Sequence, residues 1–157
     1  MIMNDDEFYM TKALRLANEA ADRDEVPVGA IIVQRGRIIG QGSNQTEQLK
    51  DVTAHAEMIA LTAAFQTLGK KYLQGCTMYV TLEPCMMCAG ALVWSKIDRV
   101  VIGALDERAG GCGSAFNIAS NRRLNHQAEI QYGILEKECS SILKEFFQRK
   151  RKSLETE

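Results

Sequence analysis

Two short runs of this 157-residue sequence carry side chains that can do chemistry, His55-Ala-Glu57 and Pro84-Cys85-Met-Met-Cys88. Cys85 and Cys88 are three positions apart, so on a helix they share a face and can give two sulfurs to one metal ion. A helix N-terminus carries partial positive charge and unpaired N–H groups, which favour the thiolate, the ligating form. His55 adds an imidazole nitrogen from the start of a second helix. Two thiolates and one imidazole suit zinc, and three protein ligands leave the fourth tetrahedral position open, as in catalytic sites. Glu57 need not be a ligand. Zinc lowers the pKa of a bound water to about 7, and a carboxylate beside that water can take its proton and pass it to a substrate.

Blander readings exist for each motif. Cys-x-x-Cys can be a redox pair, but here proline precedes the first Cys and no thioredoxin-like βαβ pattern comes before it. A closed structural zinc site would need a fourth ligand, for which His126, Cys76 and Cys112 are available. Cys76 lies in a strand pattern, Cys112 in a glycine loop and Cys139 on the last helix, and all three read as free thiols. Five cysteines, an odd number, argue against a disulfide framework.

The elements that must position these residues follow from periodicity and punctuation. Residues 4–22 read as a helix, with Phe8, Leu14, Leu16 and Ala17 among its apolar positions. Val28 to Val33 is a β-branched run, Arg35-Gly36 a turn and Ile38-Ile39 the start of a return strand. Asn44 follows in a polar loop. Thr53 is expected to cap a helix running to Leu68 and stopped by Gly69. Cys76 to Leu82 is a strand. Pro84 is expected at the first position of a helix reaching Trp94. Arg99 to Leu105 is another strand, 106–127 a glycine-rich loop, Ala128 to Tyr132 a short strand and Ile134 to Arg151 an amphipathic helix. Alternating strands and helices predict an α/β fold with a mixed sheet covered on both faces.

Composition bounds the rest. The chain is 46% hydrophobic and 25% charged, as expected for one domain spanning residues 1–157. No apolar run approaches the roughly 18 residues of a membrane span. The opening Met1-Ile-Met-Asn-Asp-Asp-Glu lacks the apolar core of a signal peptide, so a cytoplasmic location is expected. A net charge of −1 does not announce a nucleic-acid binder.

The two motifs together resemble the cytidine/deoxycytidylate deaminase superfamily. Within it the sequence is similar to bacterial tRNA adenosine deaminases over most of its length. The matching stretches are Glu25-Val-Pro-Val-Gly-Ala30, Thr53-Ala-His-Ala-Glu57, Thr81-Leu-Glu-Pro-Cys-Met-Met-Cys-Ala-Gly-Ala91, Gly110-Gly-Cys-Gly-Ser114 and Leu124-Asn-His126. The resemblance implies a three-layer α/β/α fold, a homodimer and one zinc per chain held by His55, Cys85 and Cys88. It implies deamination of adenosine to inosine at the wobble position of a tRNA anticodon, with an arginine tRNA expected. Zinc-activated water would attack, with Glu57 as proton shuttle. It implies further that Asn44 holds the base, that Asp106 lies beside the ribose, and that Pro27, Val28 and Ala54 line the pocket. An Asp at 106 also suits a turn-capping role.

Trp94 departs from the family pattern and resembles the small guanine deaminases, although a core aromatic late in a helix is the plainer reading. The pair Gln127-Ala128 also departs. The rival activity is therefore deamination of free guanine or cytosine. A silent zinc protein that only binds RNA is a second rival, against which Glu57 argues. Candidate RNA contacts are Arg149-Lys-Arg-Lys152 at the end of the last helix and Arg122-Arg123 in the late loop. Phe146-Phe147 beside them could be half core and half stacking surface.

Overall fold

In a computed structural model, residues 4–156 are described; Met1 to Met3, part of the segment read as no leader, lie outside them. Five strands form one mixed sheet in the order β2-β1-β3-β4-β5. They are β1 Gly29–Gln34, β2 Arg37–Ser43, β3 Cys76–Leu82, β4 Arg99–Ala104 and β5 Glu129–Gln131. The β1 strand pairs antiparallel with β2 and β3, while β3–β4 and β4–β5 are parallel. Arg35 and Gly36 both have positive φ, 50° and 74°, which matches the twist of a tight hairpin.

Strand alternation builds two cores. Ala30, Ile32, Met78, Val80, Val100 and Ile102 face α3 (Ala56–Leu68) and α4 (Met86–Ser95). Ile31, Val33, Tyr79 and Val101 face α1 (Asp5–Asp22) and α5 (Glu136–Glu155). These are the expected helical layers on both faces of the sheet. Where the chain leaves β4, Gly103 lets α5 approach: a Cβ there would lie 3.0 Å from the Cβ of Cys139.

Several expectations shift by a residue or more. The inner face of α1 is Met10, Ala13, Ala17 and Ala20, and Phe8 is exposed; small residues win because this helix packs closely on the sheet. Thr53 does not cap α3. Its N–H and hydroxyl both donate to Asp51 Oδ1, at 2.8 and 2.7 Å, a local turn that competes with helix formation. His55 takes the cap position instead, in extended backbone. Pro84 precedes the helix, and Cys85 is the extended cap residue; the Pro84 carbonyl is used by the Gly111 N–H at 2.7 Å. A short helix α2, Thr46–Leu49, occupies the expected polar loop. It is held by Glu25, whose buried carboxylate accepts from the Glu47 and Gln48 N–H groups at 3.0 and 2.8 Å. Gly69 ends α3 with φ 66°, as expected.

At the sheet end where β3 and β4 start, Arg99 makes a two-pronged contact with Asp6 at 2.9 and 2.8 Å, and Tyr79 donates to the same carboxylate at 3.0 Å. This pins the start of α1 and holds the Asp6 carboxyl below its ordinary pKa, chiefly through the Arg99 hydrogen bonds. At the opposite end of the sheet the chain leaves β2 toward Asn44, enters β1 from Val28, and leaves β3 and β4 toward Cys85 and Asp106. No described helix is long and apolar enough to cross a membrane.

The start of α3 is set by β2. A Cβ on Gly42 would lie 2.5 Å from the Ala56 carbonyl and 2.9 Å from the Ala60 N–H. Gly42→Ala should therefore push the first turn of α3 off the sheet, at about 1–3 kcal/mol. Denaturant unfolding with zinc analysis checks this; unchanged stability and full zinc would show that the helix has room to move.

Candidate active site

His55 caps α3 and Cys85 caps α4, so two helix N-termini converge. Cys88 lies one turn into α4, on the face it shares with Cys85. His55 Nδ1 is 3.6 Å from Cys85 Sγ and 3.5 Å from Cys88 Sγ. All three ligand atoms lie within 4.8 Å of one another. Tetrahedral zinc, with Zn–S near 2.3 Å and Zn–N near 2.0–2.1 Å, separates a nitrogen from a sulfur ligand by about 3.6 Å. The donor set and its spacing fit zinc, with Nδ1 as the imidazole ligand. Neither Cys76, Cys112 nor His126 joins the cluster. His126 Nε2 sits 2.6 Å from the Ile97 carbonyl, and Cys76, Cys112 and Cys139 are buried free thiols.

Protonation at the cluster follows from this geometry. The Cys85 thiol is lowered to about 3 by the hydrogen bond from Cys88, helped by His55 and by the Cys88 and Met87 backbone N–H groups. Cys88 is pushed upward because it keeps the proton it shares with Cys85 and is buried beside Glu57. His55 is raised by its contact with Cys85. Glu57, only 4% exposed, is raised by burial. Burial thus makes the Glu57 carboxylate a better proton acceptor than an exposed one, which suits a shuttle.

These groups open onto a pocket of about 310 Å³. His55, Glu57 and Cys85 line it with Val26, Val28, Asn44, Leu82, Glu83, Asp106 and Ala109. Of the expected pocket residues, Val28, Asn44 and Asp106 are present. Pro27 and Ala54 are buried but do not line it; Val26 and Ala56, their neighbours along the chain, do. The Asn44 amide donates to the Val26 carbonyl at 3.3 Å and accepts from the Thr46 N–H at 3.3 Å. Asp106 Oδ1 accepts from the Arg108 and Ala109 N–H groups, both at 3.1 Å. Asp106 thus caps a turn and faces the pocket at once.

Glu83 is the residue sequence reasoning missed. Its buried carboxylate accepts from the backbone N–H groups of Asp106, Cys112 and Ser114, each at 3.1 Å, and from the Ser114 hydroxyl. It ties the glycine loop to the strand end that carries Cys85. The available signal was an acidic residue two positions before a ligand, facing a loop rich in glycine N–H groups.

Trp94 is not a core residue. It is 73% exposed on α4 and lies away from the pocket lining, because Leu92 and Val93 already fill the inner face of that turn. The basic cluster on α5 is split: Lys150 pairs with Asp24, Arg149 and Lys152 border a cavity with Asp22 and Glu145, and Arg151 faces Arg108. Arg122 and Arg123 are exposed in the late loop. Phe146 is buried and Phe147 exposed, as the half-core, half-surface expectation required.

An open-sided zinc site with a buried carboxylate, set at the carboxyl ends of parallel strands in a layered α/β fold, describes a class of hydrolytic zinc enzymes. Residues 3–104 match the cytidine and deoxycytidylate deaminase zinc-binding region, and the chain belongs to that family. It is 50% identical over 148 residues to the tRNA-specific adenosine deaminase of Aquifex aeolicus (strain VF5), covering 94% of this chain and 97% of the relative. It is 45% identical over 150 residues to the protein of the same description from Bacillus subtilis (strain 168), covering 96% and 93%. A solved structure from work on A-to-I editing by tRNA:A34 deaminases at the wobble position of transfer RNA has a TM-score of 0.83 and 41% identity, covering 87% of this chain and 99% of that one.

Ligand and shuttle separate experimentally. Cys88→Ser should lose most of the zinc, because oxygen replaces a soft thiolate. Glu57→Gln should keep zinc and fold while losing at least about a hundredfold in rate, the usual worth of a positioned acid–base group. Metal analysis of the two variants decides; zinc loss in Glu57→Gln would make Glu57 a ligand.

Proposed function

We propose that the protein deaminates adenosine to inosine in the anticodon loop of a transfer RNA, at the wobble position, as a cytoplasmic enzyme formed by one domain spanning residues 1–157. The observation that carries this is the Glu57 carboxyl buried beside the His55, Cys85 and Cys88 atoms in a pocket sized for a base, in a chain half identical to a tRNA-specific adenosine deaminase. Zinc, when bound by the three ligands, supplies an activated water as nucleophile at C6. Glu57 takes the proton of that water, delivers it to ring N1 and then assists the amino group to leave as ammonia. One water is consumed and one ammonia released. The Asn44 amide and the apolar walls Val26, Val28 and Leu82 orient the ring. The target base must leave its stack, which a loop already allows cheaply.

Asp106 extends the reading to the sugar. Its Oδ1 is engaged by the turn, and we take Oδ2 as the acceptor for a ribose 2′-hydroxyl, which deoxyribose lacks. Trp94, the residue that resembles guanine deaminases, is outside the pocket and gives that alternative no support. Release of ammonia from an arginine tRNA anticodon stem-loop, compared with free guanine and cytosine, tests the substrate; faster turnover of either free base would overturn it. In single-turnover assays Asp106→Asn should narrow the rate ratio between an RNA stem-loop and its all-deoxy version. Equal loss on both substrates would leave Asp106 as a turn cap only.

The reading includes a homodimer. Met86, Gly90 and Trp94 fall four residues apart on α4 and form a stripe, with Met86 54% and Trp94 73% exposed and Gly90 half-buried between them. A second copy would bury it, and such apolar patches mark interaction surfaces. Sedimentation of the wild type should give a dimer, and Trp94→Arg should shift it toward monomer; a wild-type monomer at tens of micromolar would refute this part.

A further inference from the structure

The strand β5 runs parallel to β4, so it ends at the same edge of the sheet as the metal ligands, and the first residue past it is Tyr132. The Gly133 and Ile134 N–H groups both donate to the Ile102 carbonyl of β4, at 2.9 and 3.3 Å, which ties the backbone around Tyr132 to the sheet. From there the phenol reaches the glycine loop and donates to the Cys112 carbonyl. Partial burial, and then the charge of Glu83, raise the phenol above its ordinary pKa, so it stays a donor throughout the neutral range.

The stretch Gly110-Gly-Cys-Gly-Ser114 needs such a pin, because glycine backbone loses the most freedom on ordering. Gly113 has φ 129°, and a Cβ there would lie 2.5 Å from the Tyr132 hydroxyl. The phenol thus meets the loop where only glycine leaves room for it. The peptide joining Cys112 to Gly113 is held at both ends: Tyr132 donates to its carbonyl, and its N–H donates to the Phe116 carbonyl at 2.8 Å. The peptides on either side of it carry the N–H groups of Cys112 and Ser114, which both reach Glu83 Oε2 at 3.1 Å. The Ser114 hydroxyl donates to Glu83 Oε1, where the Asp106 N–H also arrives at 3.1 Å. Rotation of the middle peptide would turn away the donors on each side of it. Cys112 is fully buried, so its carbonyl would lose the phenol where an unpaired acceptor is costly. Glu83 and Asp106 both line the pocket. Direct contacts therefore run from the phenol, through one peptide and one carboxylate, to the pocket wall.

We infer that Tyr132 is a positioning residue for deamination: it fixes the Cys112–Gly113 peptide, so that the glycine loop holds Glu83, and through it Asp106, in place in the pocket wall. The inference rests on the deaminase reading above and assigns it a residue outside the pocket lining. A tyrosine that only stabilised the fold would behave differently. Loss of its hydroxyl would lower the melting temperature and leave the rate of the folded enzyme unchanged.

Tyr132→Phe removes the hydroxyl and keeps the ring. In single-turnover deamination by zinc-loaded enzyme, its maximal rate should fall about tenfold with the half-saturating enzyme concentration within about twofold, since a small misplacement beside the reacting groups costs rate more than binding. Hydrogen exchange of the Cys112 and Ser114 amides should speed about tenfold, while amides of β3 and α3 keep their protection. Ser114→Ala removes a hydroxyl at the other end of the same path. If both residues act through Glu83, the double variant should lose little more than the worse single variant, well short of the product of the two losses. The control Tyr72→Phe takes a hydroxyl from an exposed tyrosine at the far end of the sheet and should match the wild type. An unchanged rate in Tyr132→Phe, unchanged exchange at Cys112 and Ser114, exchange that speeds equally through β3 and α3, or losses that multiply in the double variant each overturn the inference. The substrate is whichever of an anticodon stem-loop, guanine and cytosine the wild type deaminates. Turnover of a free base alone would overturn the substrate reading and leave Tyr132 to be judged on that base; turnover of none of the three would overturn both.

Discussion

The convergence of two helix starts is the constraint on which the site depends. His55 and Cys85 are both cap residues, in extended backbone just before the first helical turn. Unpaired N–H groups and the positive helix end lower the cost of thiolate there. Cap positions also free the side chain from the helix surface, so residues from two helices can meet within 4.8 Å. Moving either ligand one turn into its helix would lose the donors and the meeting point together. Gly42 matters for the same reason, because it lets α3 start against the sheet.

Glu83 and Glu25 apply one device on either side of the pocket. Each is a buried carboxylate saturated by backbone N–H donors: Glu83 gathers the glycine loop, and Glu25 holds the first turn of α2. A buried carboxylate is costly unless its oxygens are hydrogen-bonded. Once satisfied, it makes the loop geometry obligatory, because no other group nearby could replace it. The loops of the pocket wall are thus tied to fixed points by these carboxylates. This suits electrostatic preorganisation, in which donors and acceptors are in place before the substrate arrives.

Much of this was legible in the residues. The two chemical motifs, the strand Cys76–Leu82 and the Gly69 stop depend on local signals, and the structure has them where the spacing put them. Helix starts were less legible. Thr53 and Pro84 are both favoured near helix N-termini by general propensity, yet Asp51 captures Thr53 and the glycine loop captures the Pro84 carbonyl. Both losses come from partners that propensity does not see. Trp94 misled because an aromatic late in an apolar helix is usually core, while here Leu92 and Val93 fill that side. The carboxylate frames of Glu83 and Glu25 were invisible because their partners are backbone groups 22–31 residues away in sequence.

The Asp6–Arg99–Tyr79 contact sits at the opposite edge of the sheet from the metal ligands. Its carboxyl titrates below the ordinary value of 3.8 in the folded chain. Its contribution to stability is therefore complete above that value and is lost only as pH falls through the lower, folded one. Metal ligands compete with protons nearer neutrality, because imidazole and thiolate are the forms that bind. Acidification thus meets two thresholds in different parts of the molecule. The α1 anchor thus holds through mildly acidic solution and yields only when that distant carboxylate is protonated.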